Sequence, residues 1–150
     1  MKKPRIYLDT SVVGGCEDEE FAEASRELLA QAQAGKLVLL VSDLLVGELA
    51  RAPEAVRQRL AGLAPECVEY VPETEEAHSL RDCYVAAGIV GPAQVNDALH
   101  VAQAPVARAD VIASWNFKHI VHYDKIRLFN AVNLREGYCL VDIRSPMEIV

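Results

Sequence analysis

Short apolar runs of high β-propensity alternate along this chain with longer segments of helical character, and this alternation limits the fold more than any other feature. Strands are predicted at residues 6–8, 37–41, 67–71, 111–114 and 139–141. The run at 37–41 contains only Leu and Val, as expected for a strand that helices cover on both faces. Alternating strands and helices require right-handed crossovers, which produce a parallel sheet. We therefore predict an α/β protein in which a mainly parallel sheet lies between helices.

Capping residues, glycines and prolines mark the helix ends between these strands. Asp18 can cap a helix that Gly35 ends, and Ser42 can cap the helix after the second strand. Pro105 should kink or end a later helix, because proline cannot donate its backbone hydrogen bond. The remaining helices are predicted from Pro53 to about residue 63, over residues 74–87, from Pro92 onward and over residues 122–132.

The composition is that of a chain with one hydrophobic core. The chain has 150 residues, of which 51% are hydrophobic and 25% are charged. A chain of this length can bury a core without the support of disulfides or a structural metal. We expect a single domain over residues 1–150, with its core between about residues 5 and 143 and an irregular tail from Ser145.

Two features predict a cytoplasmic location and no membrane partner. No apolar run is long enough to cross a bilayer, and the first residues lead into no apolar region of a signal peptide. The 4 cysteines lie far apart without a C-x-x-C pair, so neither a disulfide framework nor a thiolate zinc site is indicated. A reducing compartment fits this pattern best.

The charge is distributed unevenly between the two halves of the chain. The net charge is −7, which argues against broad electrostatic attraction to nucleic acid. Residues 1–76 carry 8 basic and 15 acidic side chains, whereas residues 77–150 carry 7 of each. A polyanionic partner should therefore approach the second half, where basic side chains gather between residues 118 and 135.

Four side chains with oxygen donors occupy positions from which they can reach one crevice. Asp9 ends the first strand, Glu48 lies on the helix after the second, Asp97 begins a later helix, and Asn116 follows a buried strand. In an open α/β sheet the ligand crevice lies beyond the carboxyl ends of the strands, where the strand order reverses. These residues can converge there although 39, 49 and 19 residues separate them along the chain.

Three converging carboxylates repel one another and favour a bound cation. At about 4 to 5 Å and an effective dielectric constant near 20, each pair costs roughly 3 to 4 kcal/mol. Mg²⁺ or Mn²⁺ offsets this repulsion, since both ions prefer oxygen ligands and retain water. Such an ion turns bound water into a nucleophile and polarises a phosphoryl oxygen. The predicted chemistry is hydrolysis of a phosphate ester.

Four segments of the chain, taken in order, resemble the sequential motifs of the PIN-domain nucleases. They are residues 6–11 (IYLDTS), 45–49 (LVGEL), 96–102 (NDALHVA) and 109–117 (ADVIASWNF). This family includes the ribonuclease toxins of VapBC-type toxin-antitoxin pairs. The resemblance implies a Rossmann-like three-layer α/β/α sandwich, an acidic Mg²⁺ or Mn²⁺ pocket and metal-dependent endonucleolytic cleavage of RNA.

The resemblance also implies roles for single residues. Asp9, Glu48 and Asp97 resemble the family's three metal-binding carboxylates. Ser11 resembles the small polar partner in the first motif. The fourth motif usually reads Thr-x-Asp, and here it is Ser114-Trp115-Asn116. Asn116 keeps an oxygen ligand but loses a charge, so Asn116 is expected to help place water or metal, with Ser114 in support.

The partners of this chain follow from the same resemblance. The family's toxins act with a cognate antitoxin and usually form homodimers, so both partners are expected here, together with RNA. Lys118 and Lys125 lie in the electrically neutral half of the chain and are predicted to contact RNA phosphates. Asp110 lies at the opposite end of its strand from Asn116 and is assigned a structural role.

Several residues near these motifs have two interpretations. His100 could ligate a metal or pack as a core histidine. His119 and His122 have a spacing compatible with a transition metal and could also contact RNA. The aromatic residues near the fourth motif could stack on bases, although core or interface packing is favoured; they are Trp115, Phe117 and Tyr123.

Two other functional classes compete with the nuclease. A non-catalytic PIN-like module that binds RNA or a protein partner is favoured by Asn116 and by the net charge of −7. A phosphotransfer fold is the other possibility, either a haloacid-dehalogenase-like phosphatase or a receiver. The former requires Asp-x-Asp after the first strand, where this chain has Asp9 and Ser11. The latter requires paired acids and a later lysine for which no position is evident.

Overall fold

The computed structural model describes residues 2–150, and its centre is a five-stranded parallel sheet. The strands are β1 (Arg5–Leu8), β2 (Val38–Ser42), β3 (Val68–Val71), β4 (Val111–Ala113) and β5 (Asp142–Arg144). Their order in the sheet is β3-β2-β1-β4-β5, and every adjacent pair is parallel. The predicted α/β class and parallel sheet are confirmed.

Eight α-helices connect or flank the strands in the described part of the chain. They are α1 (Thr10–Gly15), α2 (Ala22–Gln33), α3 (Asp43–Leu49), α4 (Glu54–Ala61), α5 (Glu75–Ala86), α6 (Val95–Val106), α7 (Tyr123–Arg135) and α8 (Pro146–Ile149). Residues 2–150 include no helix that is both long and apolar enough to span a bilayer.

Each face of the sheet carries its own layer of helices. Alternate residues of β1 point to opposite faces, as the pleat requires. Tyr7 packs in one cluster with buried residues of α5, α6 and α7, such as Leu80 and Phe129. Leu8 packs in the other cluster with residues of α1 to α4, such as Leu45. The result is the predicted three-layer α/β/α sandwich, in which the three central strands β2, β1 and β4 are buried between the helices.

The strand order reverses between β1 and β4, and this point positions the candidate site. From β1 the chain moves outward to β2 and β3, and α6 then returns it to β4 on the other side of β1. The backbone N–H of Asp9 donates to the carbonyl of Ala113 at 3.0 Å, which ties the carboxyl ends of β1 and β4 together. Residues that follow these two strands therefore lie together at the carboxyl edge of the sheet, which is where open α/β sheets bind their ligands.

Local signals placed most helix ends correctly. The Ser42 hydroxyl accepts a hydrogen bond from the Leu45 N–H at 3.1 Å and so caps α3. Gly35 has φ +80 and follows Ala34, the C-cap of α2; this is a left-handed conformation that glycine adopts without strain. Pro105 lies in the last turn of α6, which ends at Val106.

Three predictions at the chain's ends and turns were wrong. Helix α2 begins after Phe21 rather than at Asp18, because Asp18 instead accepts a bond from the Glu20 N–H at 2.9 Å in a local turn. The last strand pairs at Asp142–Arg144 rather than 139–141, since its register on β4 selects those residues. The tail from Ser145 is not irregular, because Ser145 and Glu148 form a capping box that begins α8.

Candidate active site

Asp9 is the buried centre of the site. It follows β1 and is 5% exposed. Its Oδ2 accepts hydrogen bonds from the hydroxyls of Ser11 at 2.6 Å and Ser114 at 2.8 Å. Although Asp9 is the N-cap of α1, its side chain makes no capping bond. The two serines, one from α1 and one from the end of β4, therefore fix one carboxylate oxygen in place.

Glu48 approaches from α3 on the rim of the site, where its side chain is 36% exposed. Its Oε1 accepts two hydrogen bonds, from Nε2 of His100 at 2.6 Å and from the Thr10 hydroxyl at 2.7 Å. The bond from His100 is the main reason that the pKa of Glu48 lies below its ordinary value, and Thr10 adds to it against the effect of burial. Glu48 is therefore ionised at neutral pH.

Asp97 lies in the first turn of α6, and its environment disfavours its charge. Burial raises the pKa of Asp97 above its ordinary value, and the negative charge of Asp9 raises it further. Nearby His119 and His100 and the Asn116 amide act in the opposite direction. Asp97 therefore lies near enough to Asp9 for that charge to act on it, and the two residues are called the acidic pair below.

Asn116 makes contacts within the turn after β4 and also lies near Asp97. Its Oδ1 accepts a hydrogen bond from the His119 N–H at 2.9 Å, and its own N–H donates to the Ser114 hydroxyl at 2.9 Å. These bonds shape the turn after β4. The same side chain also lies beside the Asp97 carboxylate, whose pKa it lowers. Asn116 is thus both a turn former and a neighbour of the acidic pair.

A buried polar network behind Glu48 was not predicted from the sequence. The His100 ring is 1% exposed, and its Nδ1 lies 2.8 Å from the Tyr7 hydroxyl. That hydroxyl also contacts the Ser42 hydroxyl at 3.0 Å and the Gln103 amide nitrogen at 3.2 Å. His100 is a core histidine by burial, yet it reaches Glu48. The only sequence signal was its spacing of three residues from Asp97.

The two lysines predicted to contact RNA differ in their surroundings. Lys118 is exposed in the turn after β4, two residues from Asn116. Lys125 is half-buried on α7, where its ammonium group donates to the Ile89 carbonyl at 2.7 Å. Asp110 accepts a bond from the Arg5 N–H at 2.7 Å at the other end of the sheet, in line with its structural role.

The aromatic residues after β4 divide into packed and exposed members. Trp115 is buried, stacks on Phe21 with ring centroids 4.3 Å apart, and donates through Nε1 to the Ser25 hydroxyl at 2.8 Å. Packing was the favoured interpretation for Trp115, and the structure confirms it. Phe117 and Tyr123 are 49% and 74% exposed.

The contact between α1 and Trp115 leads to a stability prediction. A Cβ atom at Gly15 would lie 2.6 Å from the Ser25 hydroxyl and 2.8 Å from Nε1 of Trp115. We expect Gly15→Ala to break this hydrogen bond and destabilise the protein by about 1 to 3 kcal/mol through overpacking. Chemical denaturation followed by the fluorescence of Trp115, the only tryptophan, measures this effect.

The matched control for this change is the neighbouring glycine. No atom lies within 4 Å of a Cβ atom built at Gly14. Gly14→Ala should therefore stabilise helix α1 by up to about 1 kcal/mol, because alanine has the higher helix propensity. Equal stability of the two variants would show that the close contact at Gly15 relaxes at no cost.

The donor set suits a hard cation by its chemistry, although the side chains are not gathered around one point. No group of three or more His, Cys, Asp or Glu side chains in residues 2–150 is arranged to hold a metal ion, and this includes His119 and His122. Asp9 and Asp97 nevertheless present carboxylate oxygens, and burial, followed by the charge of Asp9, raises the pKa of Asp97. A divalent ion with oxygen preference relieves such repulsion.

Comparison with known families identifies the class of protein that this fold and site define. The PIN domain family profile matches residues 6–126, which is most of the chain. The chain therefore belongs to the PIN domain family. This assignment excludes the phosphatase and receiver alternatives. No curated protein sequence is significantly similar to this chain.

Solved structures share the fold at low sequence identity. VapBC2 from Rickettsia felis, bound to a DNA fragment from their promoter, is 15% identical with a TM-score of 0.57, covering 94% of this chain and 98% of that chain. DNA-bound VapBC from Salmonella typhimurium is 18% identical with a TM-score of 0.56, covering 95% and 98%. Mycobacterium tuberculosis VapC20, a Sarcin-Ricin loop cleaving toxin, is 17% identical with a TM-score of 0.53, covering 91% and 98%.

Proposed function

We propose that this PIN domain protein is a divalent-metal-dependent endoribonuclease and acts as the toxin of a toxin-antitoxin pair. The observation that carries the proposal is the buried Asp9 carboxylate at the switch point of the sheet, which Ser11 and Ser114 hold in place. Its charge adds to the effect of burial in raising the pKa of Asp97. A pair of carboxylates held in repulsion costs stability unless a cation or a proton joins it. Such sites are frequently functional.

Four residues of the site would together provide the oxygen ligands of an ion. Asp9 and Asp97 would provide its first oxygens, with Glu48 on the rim and Asn116 as an uncharged oxygen donor. Ser11 and Ser114 hold Oδ2 of Asp9, so the orientation of that carboxylate is set before an ion arrives. When bound, Mg²⁺ or Mn²⁺ supplies an activated water and polarises a phosphoryl oxygen.

The direct experiment is cleavage of labelled RNA by the purified protein with and without Mn²⁺. Single-stranded and stem-loop oligonucleotides of mixed sequence serve as substrates, and the matching DNA oligonucleotides serve as controls. We expect internal cleavage of RNA that requires the metal and stops with a chelator. Cleavage that survives chelation would contradict the metal-dependent mechanism.

RNA binding leads to a prediction about the two lysines. If both contact phosphates, Lys118→Ala and Lys125→Ala should each weaken RNA binding and lower the slope of log affinity against log salt by up to about one unit. The larger effect is expected at Lys118, since the Lys125 ammonium group already bonds the Ile89 carbonyl. Titrations by fluorescence anisotropy at several salt concentrations measure both slopes. Unchanged slopes in both variants would place the RNA elsewhere.

The antitoxin is proposed on the basis of the structural neighbours, and the homodimer on the basis of the family resemblance. Several neighbours were solved as VapBC or FitAB assemblies. We propose a cognate antitoxin for this chain and a homodimer of the chain itself. Light scattering tests the dimer, and co-purification with the product of a small adjacent reading frame with a DNA-binding N-terminus tests the antitoxin. A monomer that recruits no such product would contradict both partners.

One observation favours a second candidate, a non-catalytic PIN module that binds RNA or a protein partner. The fourth motif has Asn116 where the family has aspartate, and the Asn116 Oδ1 is already bonded to the His119 N–H. This candidate requires saturable binding of RNA or of a protein partner, with no cleavage in Mn²⁺. Metal-dependent cleavage excludes it.

A further inference from the structure

We propose that His100 is a positioning residue that fixes the Glu48 carboxylate at the rim of the acidic site, with Tyr7 holding the His100 ring from behind. The inference deepens the proposed nuclease function and rests on it. It assigns a role to a histidine that lies three residues after Asp97, on the same helix, and that touches two of the three carboxylates.

The geometry places one nitrogen atom between the two acids. Nε2 of His100 lies 2.6 Å from Oε1 of Glu48 and 3.6 Å from Oδ1 of Asp9. The Thr10 hydroxyl bonds the same Glu48 oxygen at 2.7 Å. Two donors from α1 and α6 therefore hold Oε1, and the second oxygen of Glu48 receives no bond from either of them.

The hydrogen-bond roles around His100 follow from the chemistry of its partners. An ionised carboxylate only accepts, and Oε1 of Glu48 lies 2.6 Å from Nε2 of His100. Nε2 must therefore carry a hydrogen and donate it to Glu48. The Tyr7 hydroxyl both donates and accepts, so it completes the bond to Nδ1 in either protonation state of that nitrogen.

The support behind the ring is rigid. Tyr7 is fully buried in the central strand, and its hydroxyl is held by Ser42 and by the Gln103 amide. A chain of bonds thus runs from the core through Tyr7 and His100 to Glu48. Residues that hydrogen-bond a metal-binding side chain orient it, and their loss typically lowers metal affinity by about 10- to 100-fold.

Mn²⁺ affinity measured by calorimetry on the full chain tests the inference without any substrate. His100→Leu should weaken Mn²⁺ binding by about 10- to 100-fold. The amide nitrogen of glutamine reaches about as far as Nε2, so His100→Gln should recover the affinity to within about fivefold of wild type. Tyr7→Phe removes the bond to Nδ1 without touching Glu48 and should give an intermediate loss.

A double-mutant cycle separates positioning from general damage to the fold. If His100 acts through Glu48, His100→Leu should have almost no further effect on Mn²⁺ affinity in a Glu48→Gln background. Val101→Ala is the packing control, because Val101 is buried on the same helix beside His100. It should lower the melting temperature while leaving Mn²⁺ affinity within about twofold of wild type.

The failures of the two proposals are distinguishable. Wild type that binds no Mn²⁺ would overturn the proposed function and this inference with it. If His100→Leu is folded and binds Mn²⁺ as tightly as wild type does, the positioning role alone is overturned. Equal losses from His100→Leu in the wild-type and Glu48→Gln backgrounds would also overturn it, because His100 would then act independently of Glu48. In the cleavage assay, His100→Leu should lower kcat more than it raises KM for RNA.

Discussion

Asp97→Asn is expected to abolish metal-dependent RNA cleavage while the fold stays intact. The change removes one charge from the acidic pair that Asp97 forms with Asp9. Stabilisation of transition-state charge by a metal amounts to several kcal/mol, and each 1.4 kcal/mol corresponds to about tenfold in rate, so we expect a loss of at least about 100-fold. Rates with labelled RNA in saturating Mn²⁺ measure the loss.

The same variant should be more stable than wild type in the absence of metal. The folded pKa of Asp97 is raised, mainly by burial and then by Asp9, so the fold disfavours its ionised form. Wild type should therefore lose stability as the pH rises from the ordinary aspartate pKa, near 4, through the raised folded pKa of Asp97. Asn at position 97 does not ionise, so Asp97→Asn should not lose stability in this way. Melting curves of both proteins across that pH range test the sign.

Asp110→Asn is the matched control for this substitution. Asp110 is exposed at the opposite end of the sheet, and asparagine retains an oxygen that can accept the bond from the Arg5 N–H. Cleavage by Asp110→Asn should match wild type. Wild-type rates in Asp97→Asn, or an equal loss in both variants, would contradict the assignment of the site.

Saturating Mn²⁺ is expected to raise the melting temperature by roughly 5 to 11 °C. A cation that binds only the folded state stabilises it by mass action, by about 2.7 kcal/mol at 100 times its dissociation constant. For a chain of this length each 1 kcal/mol moves the melting temperature by about 2 to 4 °C. Scanning calorimetry across millimolar Mn²⁺ measures the shift.

Two substitutions should change this shift in opposite directions. Asp9→Asn removes the buried carboxylate and should shrink the shift sharply. Asn116→Asp restores the fourth carboxylate of the family beside Asp97, which adds repulsion to the metal-free protein and a charged ligand to the bound one. The shift should therefore grow. If Mn²⁺ does not change the melting temperature of wild type or of Asn116→Asp, the result favours the non-catalytic module.

Much of the fold is predictable because its signals are local. Polar residues follow the predicted strands at residues 6–8 and 37–41. Ser42 caps the next helix by accepting a hydrogen bond from the N–H of Leu45, three residues further along the chain. Strand and helix periodicity, caps and glycine conformations depend on residues a few positions apart, so they are readable from the chain itself. The positions of Asp9 and Asn116 after strands follow from the same signals.

Elements whose stability comes from distant partners were missed. Helix α1 has only six residues, too few to be stable alone, and its buried Val12 and Val13 are held by the core. Strand β5 forms where Ile143 pairs with Ile112, while Leu140 in the predicted strand is 62% exposed. Pairing with β4 therefore determines which residues form the last strand, and the apolar run at residues 139–141 does not.

The amino-acid sequence determined the α/β class, the order of the motifs and the candidate carboxylates, because each depends on neighbours along the chain. Only the tertiary structure decided how those carboxylates are held. His100 and Glu48 are 52 residues apart, and Tyr7 and His100 are 93 apart, yet they form one hydrogen-bonded chain. Such contacts form only when α3 and α6 pack beside β1. Long-range packing brings these side chains together, and no local sequence pattern predicts it.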